Sequence, residues 1–166
     1  VACPIGRFRP TAPSLPIVAS PIVGDRHGGR NIAARYAKLR PMFEITFLGT
    51  AASVPTMDRG LSSLLVEHGR HRFLIDCGEG TQSQMLRYGI KSQRIDHIFI
   101  SHLHGDHYFG LVGLLSTMHL LGRIHKLQIV GPEGLEKLIR PQLEVGGAYL
   151  NYEIEFKELK YPTTDL

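Results

Sequence analysis

The chain has 166 residues, 43% of them apolar, which fits one globular domain with a buried core and excludes a disordered polypeptide. No run approaches the roughly 18 consecutive apolar residues of a membrane-spanning helix. The net charge of +4 resides in the N-terminal stretch: residues 1–41 hold seven Lys/Arg against one acid, and residues 42–166 hold twelve against fourteen, so overall basicity gives no argument for nucleic acid.

Residues 1–41 carry six of the ten prolines and little hydrophobic periodicity. They read as a disordered Pro/Arg-rich leader, with Met42 as the expected start of the native protein. Cys3 and Cys77 stand alone in different contexts, so no structural disulfide is expected and a reducing, cytoplasmic compartment fits.

From Met42 the patterning is regular. Residues 43–48 alternate as a strand and stop at Gly49. Residues 50–60 form a polar loop with Pro55 and Arg59. Residues 61–67 and 72–77 read as two strands joined by a hairpin at His68-Gly69-Arg70. Thr81 is placed to N-cap a short helix to Tyr88, ended by Gly89. Residues 97–101 form a short buried strand. Residues 108–121 read as a helix ended by Gly122, and residues 126–130 as another strand. Pro132 opens a helix over 133–143 with a kink at Pro141, and residues 152–159 alternate as a last strand. Hairpins followed by alternating helices and strands predict an α/β layered domain with a mixed sheet.

Between the strand at 97–101 and the following helix lies Ser101-His102-Leu103-His104-Gly105-Asp106-His107. Ligands of open α/β sheets bind at the carboxyl ends of strands, and imidazole and carboxylate donors suit zinc, manganese or iron. His102 and His104 are two apart, so an extended segment points both rings one way. Gly105 permits a tight turn, and Asp106 and His107 then face a neighbouring point. Three histidines and an acid in six residues resist a packing explanation. His27, His68, His71, His97, His119 and His125 read as ordinary core or surface histidines. Two ligands for each of two metals is one reading; such a pair clamps the attacking and leaving oxygens of a hydrolysis.

His102 to His107 match the H-x-H-x-D-H signature of the metallo-β-lactamase superfamily. With F-L-G-T (47–50), the Pro55–Arg59 loop, L-I-D-C-G-E-G-T-Q (74–82), I-F-I-S-H-L-H-G-D-H-Y-F-G-L (98–111) and G-P-E-G (131–134), residues 42–159 resemble the ribonuclease Z family. The resemblance implies a metallo-β-lactamase αββα sandwich, of which only the N-terminal half is present. It implies a two-zinc site and removal of the 3′ trailer from precursor tRNA by an enzyme that is often a homodimer. It implies His102 and His104 as ligands of one zinc, and Asp106 and His107 as ligands of the second. Asp106 would also be the proton acceptor, Asp76 would orient a ligand histidine, and Arg59 would contact the substrate. Gly60 follows Arg59 where the family usually has Asn. The family's third histidine, bridging aspartate and last histidine are expected beyond Leu166, so the chain alone is expected to be inactive and its sheet to expose apolar surface. Residues 111–121 are a candidate dimer surface, though core is the plainer reading. Another hydrolase of the superfamily (arylsulfatase, phosphodiesterase or lactonase type) and a non-catalytic metal-binding module are the alternatives.

Overall fold

The structure is a computed structural model that describes residues 43–147 and 149–160, all within one compact unit, Lys38–Leu166. The leader at 1–41 lies outside the described residues. Six strands form one sheet in sequence order: β1 (Glu44–Gly49), β2 (Ser63–His68), β3 (His71–Ile75), β4 (His97–Phe99), β5 (Leu127–Pro132) and β6 (Ile154–Leu159). The first two pairings are antiparallel and the last three parallel. The mixed sheet read from the sequence is therefore correct. Among the described residues four helices accompany it: α1 (Thr81–Arg87), α2 (Gly105–Tyr108), α3 (Leu111–Leu120) and α4 (Leu135–Val145), with a 3-10 turn at Ser92–Arg94.

The sheet's two faces follow from its register. Leu65 pairs with Leu74, Leu74 with Ile98, Ile98 with Ile129 and Ile129 with Phe156. That row lies under Met85 of α1, Leu111, Leu114, Leu115 and Met118 of α3, and Leu135, Ile139 and Leu143 of α4, in one buried cluster. Burying such side chains stabilises by about 2 kcal/mol each. The α3 stripe is thus core, the plainer of the two readings.

The opposite face carries Ile45, Val66, Phe73 and His97 in one row and Phe47, Leu64, Ile75, Phe99 and Val130 in the next. On this face Ile45 and Phe47 of β1, and Phe43 just before it, are 55–60% exposed, as expected of a sheet with apolar residues on both faces. The rings of Phe73 and Phe99 lie 6.1 Å apart there.

Several boundaries differ from the sequence reading. Gly80 (φ 82°), not Thr81, precedes the first turn of α1, and the Thr81 hydroxyl donates backwards to the Gly78 carbonyl at 2.8 Å. Pro132 ends β5 and faces Leu159 instead of opening a helix; a proline at a strand's last position forfeits at most one ladder bond. α4 starts after Gly134, whose φ of 96° sets the turn, and it runs through Pro141. The helix expected over 108–121 is two helices. Gly110 donates its N–H to the Cys77 carbonyl at 2.9 Å, which diverts the bond that would have made α2 and α3 continuous. The predicted strands at 61–67, 72–77, 97–101 and 152–159 are each trimmed at one end, to Ser63–His68, His71–Ile75, His97–Phe99 and Ile154–Leu159.

Candidate metal centre

β3 and β4 are parallel neighbours, so their carboxyl ends open side by side, and the chain leaves each into a turn. After β3 comes Asp76, with φ 58°. That left-handed conformation costs on the order of 1 kcal/mol or more for a residue with a Cβ, and surrounding bonds hold it. The Asp76 N–H donates to the Phe99 carbonyl at 2.7 Å, and its own carbonyl accepts the Ser63 hydroxyl at 3.1 Å. The buried carboxylate then collects the loop after β4. It accepts the Ser101 N–H at 2.8 Å, the Ser101 hydroxyl at 3.0 Å, the Ser62 hydroxyl at 3.2 Å and the His107 Nδ1–H at 2.7 Å.

A carboxylate can only accept, so this bond places the His107 proton on Nδ1 and leaves the Nε2 lone pair free on the far side of the ring. His107 Nε2 lies 3.6 Å from Asp106 Oδ2. The His102 ring centroid lies 3.9 Å from that of His107 and 4.7 Å from that of His104, and His102 Nδ1 faces the Ser101 hydroxyl at 3.0 Å. The structure thus brings His102, His104, Asp106, His107 and Asp76 together.

Two glycines let the turns approach. A Cβ on Gly78 would come 2.4 Å from the Asp106 carbonyl oxygen, and one on Gly110 would come 2.2 Å from the Gly78 carbonyl oxygen. The Cys77 N–H donates to the His107 carbonyl at 2.7 Å, tying the same turns together. The Cys77 thiol is wholly buried, which pushes its pKa up to about 12 and leaves it no nucleophilic role.

Asp106 is fastened from a third direction. Its Oδ2 accepts the Ser53 N–H at 2.8 Å, from the loop after β1, where Ser53 has φ 63°. That hydrogen bond first, then one from its own backbone N–H, hold the Asp106 carboxyl below the usual carboxylate range despite its partial desolvation. Arg59 sits on the same loop, exposed, with its backbone N–H on the Thr56 hydroxyl at 3.1 Å. Among the described residues its guanidinium joins no ion pair and does not meet the cluster.

The donor set, three imidazoles and a carboxylate, suits a borderline divalent ion such as zinc. The oriented His107 has the carboxylate–histidine pairing usual behind metal ligands. Among the described residues no group of three or more donors converges on one point, so the set fits an ion in kind and not as a closed shell. Sequence reasoning named the five residues that the structure brings together, His102, His104, Asp106, His107 and Asp76. It missed Ser53, which acts through backbone, and Ser62, whose hydroxyl joins the network only through the pairing of β2 with β3.

A family model described as "Anti-Pycsar protein Apyc1" matches residues 43–160. The chain belongs to that family. It is 48% identical over 122 residues to a protein of Parabacteroides distasonis named Ribonuclease Z, an alignment covering 74% of this chain and 40% of that one. It is 47% identical over 123 residues to the Ribonuclease Z of Bacteroides thetaiotaomicron, covering 73% and 39%. The chain spans about 40% of the length of the curated relatives it matches. Human tRNase Z, short form, superposes with a TM-score of 0.69 at 41% identity, over 74% of this chain and 46% of that one. The metallo-β-lactamase fold protein YhfI of Bacillus subtilis superposes with a TM-score of 0.55 at 22% identity, over 72% and 46%. The fold of this Apyc1-family chain is accordingly that of the metallo-β-lactamases, and its likeness to ribonuclease Z, read first from the motifs, stands.

Proposed function

We propose that this chain is part of a zinc-dependent endoribonuclease that removes the 3′ trailer from precursor tRNA, in the cytoplasm and as a homodimer when complete. The observation that carries the reading is the bond from His107 Nδ1 to Asp76, which leaves Nε2 on the side of the ring beside Asp106, within a chain that is 48% identical over 122 residues to a protein named Ribonuclease Z. His102 and His104 would hold one zinc, and Asp106 and His107 the other. Bound zinc would supply charge to stabilise a developing oxyanion and acidify a water. Asp106, kept ionised and aimed by the Ser53 N–H, would orient that water and accept its proton. Asp76 would hold the His107 tautomer, and Arg59 would meet a substrate phosphate.

Zinc sites use three or four protein ligands. With no three donors converging on one point among the described residues, the 166 residues by themselves are proposed to be catalytically inactive. A second reading is another hydrolase of the same fold, such as a phosphodiesterase with a smaller substrate. The test incubates a protein carrying these residues and the remaining ligands with a trailer-bearing precursor tRNA and, in parallel, with bis(p-nitrophenyl) phosphate. Cutting at the trailer junction with a 3′ hydroxyl supports the first reading. Hydrolysis of the small diester with intact precursor tRNA would install the second.

A further inference from the structure

Two adjacent aromatics at the C-terminal end of α2 have different surroundings. Tyr108 packs against the buried cluster. Phe109, the next residue, is 65% exposed. Its ring lies directly over Gly105: a Cβ built there would come 2.2 Å from Phe109 Cε2 and 2.3 Å from Cζ. The ring also meets Tyr108 edge-on, with centroids 5.0 Å apart. The backbone is pinned on both sides, since the Phe109 N–H donates to the Gly105 carbonyl at 2.9 Å and the Gly110 N–H to the Cys77 carbonyl at 2.9 Å. An aromatic face is thus fixed in place, left open to solvent, and seated on the glycine that separates His104 from Asp106.

We propose that Phe109 is a stacking platform for an unpaired base of an RNA substrate at the rim of the donor cluster. The proposal rests on the endoribonuclease reading and deepens it: the nucleotide beside the scissile phosphate would be held by its π-face. Proteins that handle single-stranded nucleic acid stack bases on exposed aromatic rings, and stacking tolerates any base because each has a π-face. Such a platform fits a cleavage point that has one position but no fixed sequence. Gly105 serves it as well as the turn, because any side chain there would displace the ring.

The chain contains no tryptophan, so Phe109→Trp introduces a single tryptophan, excited apart from the tyrosines, at the position in question. Tyr149→Trp, 88% exposed on the loop after α4, is the control. The full chain is titrated with an unpaired oligoribonucleotide and with a trailer-bearing precursor tRNA. Saturable quenching is expected at position 109 and not at 149. Phe109→Leu, which still covers Gly105 but has no π-face, should bind the oligoribonucleotide about ten-fold more weakly by anisotropy, within the range of base–aromatic stacking, with its melting temperature unchanged. Wild-type affinity in Phe109→Leu, or equal quenching at both tryptophans, would overturn the platform. Position-109 quenching by the oligoribonucleotide but not by precursor tRNA would keep the platform and sink the tRNA reading.

Discussion

The turn after β3 and the loop after β1 both reach the donor cluster, yet they are fastened very differently. Residues 76–78 are held at every position: Asp76 by its carboxylate and backbone, Cys77 through both backbone groups, Gly78 by close contact with the Asp106 and Leu61 backbones. The loop at 50–60 is exposed over most of its length and touches the cluster through one N–H, that of Ser53. The difference separates two tasks. Donor orientation requires a frame with no alternative packing, while the loop that, under the proposed function, would meet a large substrate can remain adaptable.

Variants break this contrast in graded steps. Asp76→Ala strips the acceptor from the Ser101 N–H and from His107 Nδ1 together, and should lower stability by about 3 kcal/mol, read from urea unfolding. Gly110→Ala forces a methyl against the Gly78 carbonyl and should cost about 2 kcal/mol by overpacking; a melting temperature within a degree of wild type would contradict the close approach. Asp106→Asn acts only on the acid limb. The carboxyl is held below the ordinary value of about 3.9, chiefly by the Ser53 N–H. Its contribution is therefore complete above that value and vanishes as pH falls through the lower folded value. In the metal-free chain, unfolding midpoints of Asp106→Asn should fall less steeply than wild type below about pH 4. Arg59→Ala, on the open loop, should stay within about 0.5 kcal/mol of wild-type stability while weakening RNA binding in a salt-dependent way.

The same contrast explains what could be read from residues alone. The clustered residues, His102 to His107, stood out by chemical type and spacing, and Asp76 by its place at a strand end within D-C-G. The alternation of 43–48 and the apolar stripe of α3 gave their elements correctly. What escaped was set by backbone geometry and by neighbours distant in sequence. The left-handed Ser53 leaves no mark in composition, because its contribution is an N–H that every residue but proline has. Pro132 looked like a helix start and ended a strand, since pairing with β6 outweighed local preference. The break between α2 and α3 came from Cys77, some thirty residues away. Ser62 became part of the network only through strand register.

The measurement that bears most directly on the central claim is zinc binding by the full chain, wild type against His104→Ala, by competition with a chromophoric chelator. The account predicts that wild type takes up zinc well below the affinity of closed structural sites (about 10–16 kcal/mol) and that His104→Ala loses part of that uptake. Identical uptake by the two proteins would mean that the residues from His102 to His107 are not where the metal goes.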